Sequence, residues 1–170
     1  RSLAICFLML TTLPARADDV VYQIKAAYIY NFLQFITFES NATGGQAYLD
    51  VCVIDKDKKF GEALEHIAGQ PTPQGKINIV LLSVSNKEKI SSCHVLYLAG
   101  TDAKYTRKVL ANTDTSRVLT IGENKAFIPH GGFIELFIEE DSVRFRINSD
   151  LAGQTRFKVS SQLLSLGVKS

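Results

Sequence analysis

The chain has 170 residues, of which 46% are hydrophobic and 21% are charged, with 11 Gly, 4 Pro and no Trp. This composition excludes a collagen-like repeat, a disordered chain and a small disulfide-dense scaffold. The length suits one domain that buries roughly two-thirds of the surface of its unfolded chain. The formal net charge is +2, and two of the arginines that contribute to it lie in the first sixteen residues.

Residues 1–17 have the features of a secretory signal peptide. The apolar run Leu3–Leu13 is followed by a small-x-small triplet that ends at Ala17, and then by two aspartates. The run is too short to span a bilayer, which needs about 20 apolar residues. The alternative is a buried N-terminal helix or strand, for which such a triplet followed by acids is a poor continuation. We predict cleavage after Ala17 and a mature domain over 18–170.

The predicted mature chain is formally neutral. Removal of residues 1–17 takes away two Arg and no acid, so 17 basic and 17 acidic side chains remain. A neutral chain offers no electrostatic attraction to nucleic acid or to anionic lipid. No later run has eighteen consecutive apolar residues, so we expect no membrane insertion of the mature chain. We expect it to be exported to the bacterial periplasm.

Two cysteines remain when Cys6 leaves with the signal peptide. The spacing of Cys52 and Cys93 is too wide for a CxxC redox motif and offers no cluster of metal ligands. One bridge that closes this loop of about forty residues would stabilise the fold by roughly 4 kcal/mol. Two free buried thiols are the alternative. Because both cysteines lie in or beside β-like runs, we favour the disulfide.

A long apolar helix is predicted over Val20–Phe38, which has no Gly or Pro. Apolar and aromatic side chains cover about two-thirds of its circumference, so more than one side must be buried. The helix is therefore either a central core helix or one that also contacts a second copy or a partner. Its apolar stripe consists of Ala26, Ile29, Leu33 and Ile36, flanked by Phe32 and Tyr22.

The middle of the chain alternates β runs with short helices. This alternation predicts parallel strands with helices packed on the faces of the sheet. The predicted strands are Tyr48–Ile54, Lys76–Ser83, Val95–Ala99 and Val118–Ile121, and the predicted helices are Lys58–Ile67 and Asp102–Asn112.

The last third predicts an antiparallel hairpin of Phe133–Ile138 and Val143–Ile147, followed by a terminal helix over Ser160–Leu166. The pattern of Gly153–Val159 fits either a helix or a strand. No linker or repeat divides the chain. We therefore predict a single α/β domain with a central, mostly parallel sheet flanked by helices, a C-terminal antiparallel hairpin and a terminal helix.

No catalytic or metal-binding motif stands out. His66, His94 and His130 are isolated from one another, and the chain contains no G-x-S-x-G elbow, P-loop or G-x-G-x-x-G fingerprint. The acidic run Glu139–Asp141 falls at the predicted hairpin tip, where solvated acids are expected. We predict a protein that is not an enzyme and that uses neither a metal nor a cofactor.

Open α/β sheets bind ligands beyond the carboxyl ends of their parallel strands. Residues that favour turns and helix caps follow the predicted strands here, and those local roles are enough to explain them. A crevice for a small ligand is the other interpretation. Its candidate residues are Asp55, Gly100, Asp102, Gly122 and Glu123.

Six segments occur in a fixed order between Val20 and Gly167. They are KAAYIYNFLQFITFE at 25–39, VCVI at 51–54, CHVLYLAGTD at 93–102, VLTIGE at 118–123, GGFIELF with VRFRIN between 131 and 148, and KVSSQLLSLG at 158–167. This ordered set resembles the YfiR family of bacterial periplasmic proteins.

The resemblance implies a compact α/β repressor, often a homodimer, that binds the periplasmic sensor domain of an inner-membrane diguanylate cyclase. Binding would hold down cyclic di-GMP synthesis and biofilm formation. A sensor kinase is an alternative membrane partner, and an outer-membrane lipoprotein can sequester such a repressor. The family's cysteine pair falls on Cys52 and Cys93, whereas the second pair that some members carry near 128–135 has no counterpart here.

Two surfaces are candidates for contact with a membrane partner: the apolar helix and the basic face of the hairpin. For the hairpin arginines, the alternative is a solvated strand face paired with Glu135 or Glu139. The candidate contact residues are Tyr28, Phe32, Phe35, Arg144 and Arg146. The alternative function is a periplasmic small-molecule sensor that acts through the strand-end crevice.

Overall fold

A seven-stranded, mostly parallel sheet carries the fold in the computed structural model, which describes residues 17–39, 48–83, 85 and 87–168. The predicted signal peptide lies outside these residues, except for Ala17, where the first helix begins. The predicted single α/β domain with its parallel sheet and C-terminal hairpin is confirmed.

The spatial order of the large sheet is β3-β4-β2-β5-β6-β7-β8. The five strands from β4 to β7 in this order run parallel, and the edge strands β3 and β8 are antiparallel to their neighbours. Strands β1 and β9 form a separate antiparallel pair. In chain order the strands are β1 (Ile36–Thr37), β2 (Tyr48–Asp55), β3 (Pro71–Thr72), β4 (Gly75–Leu81), β5 (Val95–Ala99), β6 (Leu119–Gly122), β7 (Ile134–Glu139), β8 (Ser142–Ile147) and β9 (Lys158–Val159).

Helices cover both faces of this sheet. Asp102 and Ser160 act as N-caps of α3 and α5, since their side chains accept hydrogen bonds from backbone N–H groups three residues later. The helices are α1 (Ala17–Phe35), α2 (Gly61–Glu65), α3 (Ala103–Leu110), α4 (Ser149–Ala152) and α5 (Ser161–Leu166), with 3-10 turns at Lys87–Ser92 and Ile128–His130.

The central strands are buried on both faces, as parallel strands usually are. Every residue of β5 is buried. Val51 and Val53 of β2 belong to the core under α1 and α2, while Cys52 and Ile54 belong to the smaller core on the side of α3. Successive side chains of β2 point to opposite faces of the sheet, and both faces are covered by a core. All four residues of the run VCVI are therefore apolar.

Helix α1 lies inside the curve of the sheet. The hydroxyl of Tyr28 donates a hydrogen bond to the backbone carbonyl of Val143 in β8. The hydroxyl of Tyr30 donates one to the backbone carbonyl of Pro71 in β3. These two tyrosines are only two residues apart, yet they reach opposite edges of a sheet that would be about 30 Å wide if it were flat. The sheet must therefore curl around the helix. This confirms a core position for α1, and its predicted apolar stripe is buried.

The exposed edge of β8 is partly occupied. The carbonyl of Val143 accepts the Tyr28 hydroxyl at 3.0 Å, and that of Phe145 accepts the backbone N–H of Val168 at 2.9 Å. Unpaired edge carbonyls favour pairing with a further strand. These two hydrogen bonds make the β8 edge a poorer template for such pairing.

Cys52 and Cys93 form the predicted disulfide, with 5.8 Å between their Cα atoms. Cys52 lies in β2, and Cys93 precedes the adjacent parallel strand β5. Both cysteines are buried in the core on the α3 side. The bridge therefore joins two neighbouring central strands whose connection passes through α2 and β4.

Several local features differ from the sequence prediction. The helix predicted over Lys58–Ile67 extends only over Gly61–Glu65, because the backbone of Lys58 has a φ of 55°. Helix α1 ends at Phe35 rather than Phe38, because Ile36 and Thr37 pair with β9. The ambiguous segment 153–159 therefore supplies a strand. Pro71–Thr72, for which no strand was predicted, pairs antiparallel with the start of β4. Residues 39–47, whose composition of Gly, Ser, Asn and Thr is typical of a loop, lie outside the described residues except for Glu39.

Removal of the disulfide should destabilise the fold substantially. The bridge joins residues 41 apart, so its loss should cost about 4 kcal/mol and lower Tm by about 8–16 °C. We suggest the double variant Cys52→Ala/Cys93→Ala, because alanine adds no buried hydroxyl, with the oxidised and reduced wild-type protein as controls. Two reactive thiols in the denatured, unreduced wild-type protein would contradict the bridge.

Candidate functional site

The five candidate crevice residues lie along the carboxyl edge of the parallel strands, but they serve different local roles. Gly100 has a φ of 61° and lies beside the carboxylate of Asp57, which a Cβ at position 100 would meet. Asp102 accepts the backbone N–H of Tyr105 at 2.8 Å and pairs with Lys56 at 3.2 Å. These contacts hold the pKa of Asp102 below its ordinary value. Turn and cap formation therefore explain these two residues.

Gly122 is required by packing. A Cβ at Gly122 or at Gly132 would collide with the ring of Phe127, which is fully buried between them. The turn at His130–Gly132 therefore positions an aromatic ring against the end of β6.

Glu123 takes part in a buried polar network beneath α1. Lys25 Nζ lies 3.0 Å from Glu123 Oε1, and the hydroxyl of Tyr97 donates to the same oxygen. The side chain of Lys25 is only 9% exposed and that of Glu123 only 20%. Burial and the nearby carboxylate raise the pKa of Tyr97 well above its ordinary value. The network joins α1 to β5 and to the end of β6.

The sequence contained one signal of this network. Lys25 is a lone cation in an otherwise apolar part of α1, and a buried lysine needs a partner. Its partner is 98 positions away, and no local pattern identifies it. The pKa of Tyr22 is also raised, first by desolvation and then by Glu123. The ammonium group of Lys25 lies 5.5 Å from the centre of the Tyr22 ring.

A cavity of about 390 Å³ opens at the carboxyl ends of β2 and β4. Asp55 is the candidate crevice residue that lines it, and its carboxylate accepts the backbone N–H of Phe60 at 2.7 Å. Most of the other lining residues have no local signal in the sequence that links them, because they come from a strand, a loop and a helix start. They include Val53, Lys58, Gly61, Leu81 and Leu82.

The candidate contact residues of α1 have different environments. Phe32 is 1% exposed and packs 4.9 Å from the ring centre of Phe145, so its ring belongs to the core rather than to a contact surface. Tyr28 and Phe35 are partly buried. Two residues that the prediction did not single out, Val20 and Ile24, are exposed on the outer side of this helix.

The hairpin arginines are paired with acids on β7. Arg146 lies 3.3 Å from Glu135 and stacks 4.0 Å from the ring centre of Phe137. Arg144 lies 3.9 Å from Glu139, and both of these side chains are about half exposed. The two arginines therefore form the ion pairs with Glu135 and Glu139 that were the alternative to a role in partner binding. Arg144 remains accessible, whereas Arg146 is held by its neighbours.

The two predicted contact surfaces lie on opposite faces of β8. Val143 and Phe145 point toward the core under α1, whereas Arg144 and Arg146 alternate with them and point the other way. Tyr28 and the arginines therefore do not form one continuous patch. Ile138, which pairs with Val143 in the hairpin register, is 56% exposed on the α1 side.

Histidines and acids form no metal site in the described part of the chain, where no three His, Cys, Asp or Glu side chains are grouped closely enough to hold an ion. His94 is a buried histidine whose Nδ1 accepts the backbone N–H of Asp50 at 3.0 Å. Among residues 17–39, 48–83, 85 and 87–168, no helix has both the length and the apolarity needed to cross a membrane.

Lys25 and Glu123 should be strongly coupled in stability. The variant Lys25→Met leaves a partly buried carboxylate without its cation, which should cost roughly 2–4 kcal/mol. The double variant Lys25→Met/Glu123→Gln should recover part of this loss, with a coupling energy of about 1–3 kcal/mol. Denaturant unfolding of the wild type, both single variants and the double variant measures it. Strictly additive effects would contradict the network.

Glu135 should make stability depend on pH. Burial raises the pKa of Glu135 above its ordinary value, although Arg146 acts in the opposite direction. A carboxyl group with a raised folded-state pKa stabilises the fold at low pH and loses that contribution as pH rises through this pKa. The free energy of unfolding of the wild type, minus that of Glu135→Gln, should therefore decrease as pH rises from about 4.

The surface variant Glu139→Gln is the control for the Glu135 measurement, because its half-exposed carboxylate is paired on the same hairpin. Its effect on stability at neutral pH should stay within about 0.5 kcal/mol. A difference between wild type and Glu135→Gln that stays constant or increases with pH would show that burial does not control this carboxyl group.

Comparison with known proteins identifies the family. The model of the DUF4154 family, described as YfiR/HmsC-like, matches residues 22–168 and thus includes most of α1, the cavity and the hairpin. No curated protein matches the chain. The resemblance inferred from the six ordered segments is confirmed. The chain belongs to the YfiR/HmsC-like family.

Proposed function

We propose that this protein is a periplasmic regulator of cyclic di-GMP signalling that represses an inner-membrane diguanylate cyclase by binding its periplasmic sensor domain. The observation that carries the proposal is membership of the YfiR/HmsC-like family over residues 22–168. The features of a signal peptide in residues 1–17 support export to the periplasm. A folded domain in that compartment acts on a cytoplasmic enzyme through a protein that crosses the membrane.

Repression requires preferential binding to one state of the cyclase. A regulator that bound the active and inactive states equally well would shift nothing, however tight the complex. A complete switch from 1:99 to 99:1 requires about a 10⁴-fold preference. The regulator must therefore offer a surface that binds the inactive state of the cyclase more tightly than the active state.

The best candidate surface is the α1–β8 seam, which we define as Ile24, Tyr28, Ile138 and the buried Val143 to which Tyr28 binds. Ile24 and Tyr28 are one helical turn apart, the Tyr28 hydroxyl binds Val143, and Val143 pairs with Ile138. Two of the four residues are exposed apolar side chains. The seam therefore joins part of the predicted helix surface to the hairpin, with Arg144 on the far face of the same strand.

Ile138→Lys should weaken the complex with the membrane partner at least tenfold. Ile138 is 56% exposed, so lysine at this position can reach solvent and should leave the fold intact, while a charge at a desolvated contact opposes binding. The matched control is Leu166→Lys on α5, since Leu166 is 61% exposed. The measurement is co-purification of the full-length protein with detergent-solubilised inner membranes, with each variant's Tm checked.

Recovery of a diguanylate cyclase with the wild type and with Leu166→Lys, but not with Ile138→Lys, is the expected result. Cells with Ile138→Lys should then contain more cyclic di-GMP. Equal recovery with both variants would exclude the seam as the contact surface. Recovery of no cyclase, together with unchanged cyclic di-GMP when the gene is deleted, would contradict the proposed function.

A small-molecule sensor is the second candidate function. The cavity of about 390 Å³ at the ends of β2 and β4 is the observation that favours it, because it lies where open α/β sheets bind ligands. In this alternative, the protein mainly binds a small ligand rather than a cyclase. The two functions are compatible if ligand binding changes the affinity for the membrane partner.

A further inference from the structure

The cavity at the ends of β2 and β4 has an apolar floor and a charged rim. Val53 and Leu81 are paired in register on adjacent strands, so their side chains lie side by side on the face covered by α2. Leu81 is 64% exposed, although it is a large apolar side chain next to the core. A ligand that covered Leu81 would remove this apolar surface from water.

Gly61 keeps the cavity open. It is the first residue of α2 and lines the cavity, and a Cβ at this position would meet no atom within 4 Å. Its φ lies outside the left-handed region, so neither the backbone nor the packing requires glycine here. Glycine is also a poorer helix residue than alanine. Because Gly61 has no side chain, a ligand in the cavity can approach the backbone at the start of α2 closely.

Lys58 supplies the charge at the rim. Lys56, also on the rim, pairs with Asp102, and Asp55 binds the backbone N–H of Phe60. By contrast, Lys58 has no acid within 4.0 Å in the described part of the chain. Its backbone has a φ of 55°, which is uncommon for a residue other than glycine. Lys58 therefore lines the cavity with no ion-pair partner among the described residues, and Asp55 and Lys56 are the other charged residues of the rim.

We propose that this cavity binds a small amphipathic carboxylate, with its apolar body against Leu81 and its carboxylate at Lys58. The volume is at the lower end of the range of small-molecule sites, which is roughly 300–1,000 Å³. It suits a body of about eight carbons better than a long lipid chain. The cation selects a negative charge, and the floor selects an apolar body.

Isothermal titration calorimetry of the purified protein with octanoate tests the proposal. Octanol and octylammonium are the neutral and cationic probes of equal length, and 3-phenylpropionate is a ring-bearing probe of the same charge. Octanoate should bind at least tenfold more tightly than octanol, and octylammonium should not bind. The comparison with 3-phenylpropionate distinguishes an aliphatic source of the carboxylate from an aromatic one.

Two matched pairs of variants locate the binding site. Lys58→Gln should weaken octanoate binding about tenfold, whereas Lys59→Gln, which changes the adjacent lysine, should not. Gly61→Leu should abolish binding by filling the cavity, whereas Gly61→Ala should retain the fold and weaken binding less. Amide shifts of Leu81 to Ser83 in NMR spectra should follow octanoate concentration in the wild type and in Lys59→Gln.

Equal affinity of octanoate and octylammonium, or unchanged octanoate binding in both Lys58→Gln and a folded Gly61→Leu, would overturn the proposal. If Gly61→Leu does not fold, the comparison of Lys58→Gln with Lys59→Gln decides the outcome. The titration contains no membrane protein, so its failure would leave the proposed cyclase partner untouched. Failure of the cyclase experiment would likewise leave this site untouched.

Discussion

Enclosure of helix α1 by the curled sheet is the constraint on which the other elements depend. The helix is apolar on several sides, and those sides are buried only if the strands bend around it. Tyr28 and Tyr30 bind carbonyls on the two edge strands of the same sheet. Burial of the apolar faces supplies the driving force for this arrangement, and the hydrogen bonds at both edges set how far the sheet closes.

Hydrophobic burial alone would permit several positions of α1 against the sheet. The polar groups buried beneath α1 favour one of these positions. Lys25 finds Glu123 and Tyr97 at the end of the sheet, and an offset of one helical turn would leave charged groups unpaired. A buried charge without its partner costs far more than a surface ion pair contributes. The network therefore acts mainly on the position of α1 along the sheet.

The cavity, the α1–β8 seam and the disulfide occupy three separate parts of the sheet. The cavity lies under the start of α2, the seam lies at the β8 edge, and the Cys52–Cys93 bridge lies in the core on the α3 side. Helix α1 is the element that connects the first two, because it packs against α2 and binds Val143.

The amino-acid sequence by itself determined the elements whose patterns are local. The run VLYLA predicted a strand of the parallel sheet, the alternation in VRFRI predicted a hairpin strand with one apolar and one basic face, and the even number of cysteines after Cys6 predicted their bridge. Only the tertiary structure decided the order of strands, the partner of Lys25, the end of α1 at Phe35 and the shape of the cavity. Each of these depends on contacts between distant segments, such as the pairing of Ile36 with Val159. Local periodicity reports which faces are buried, but it carries no information about which segment covers them.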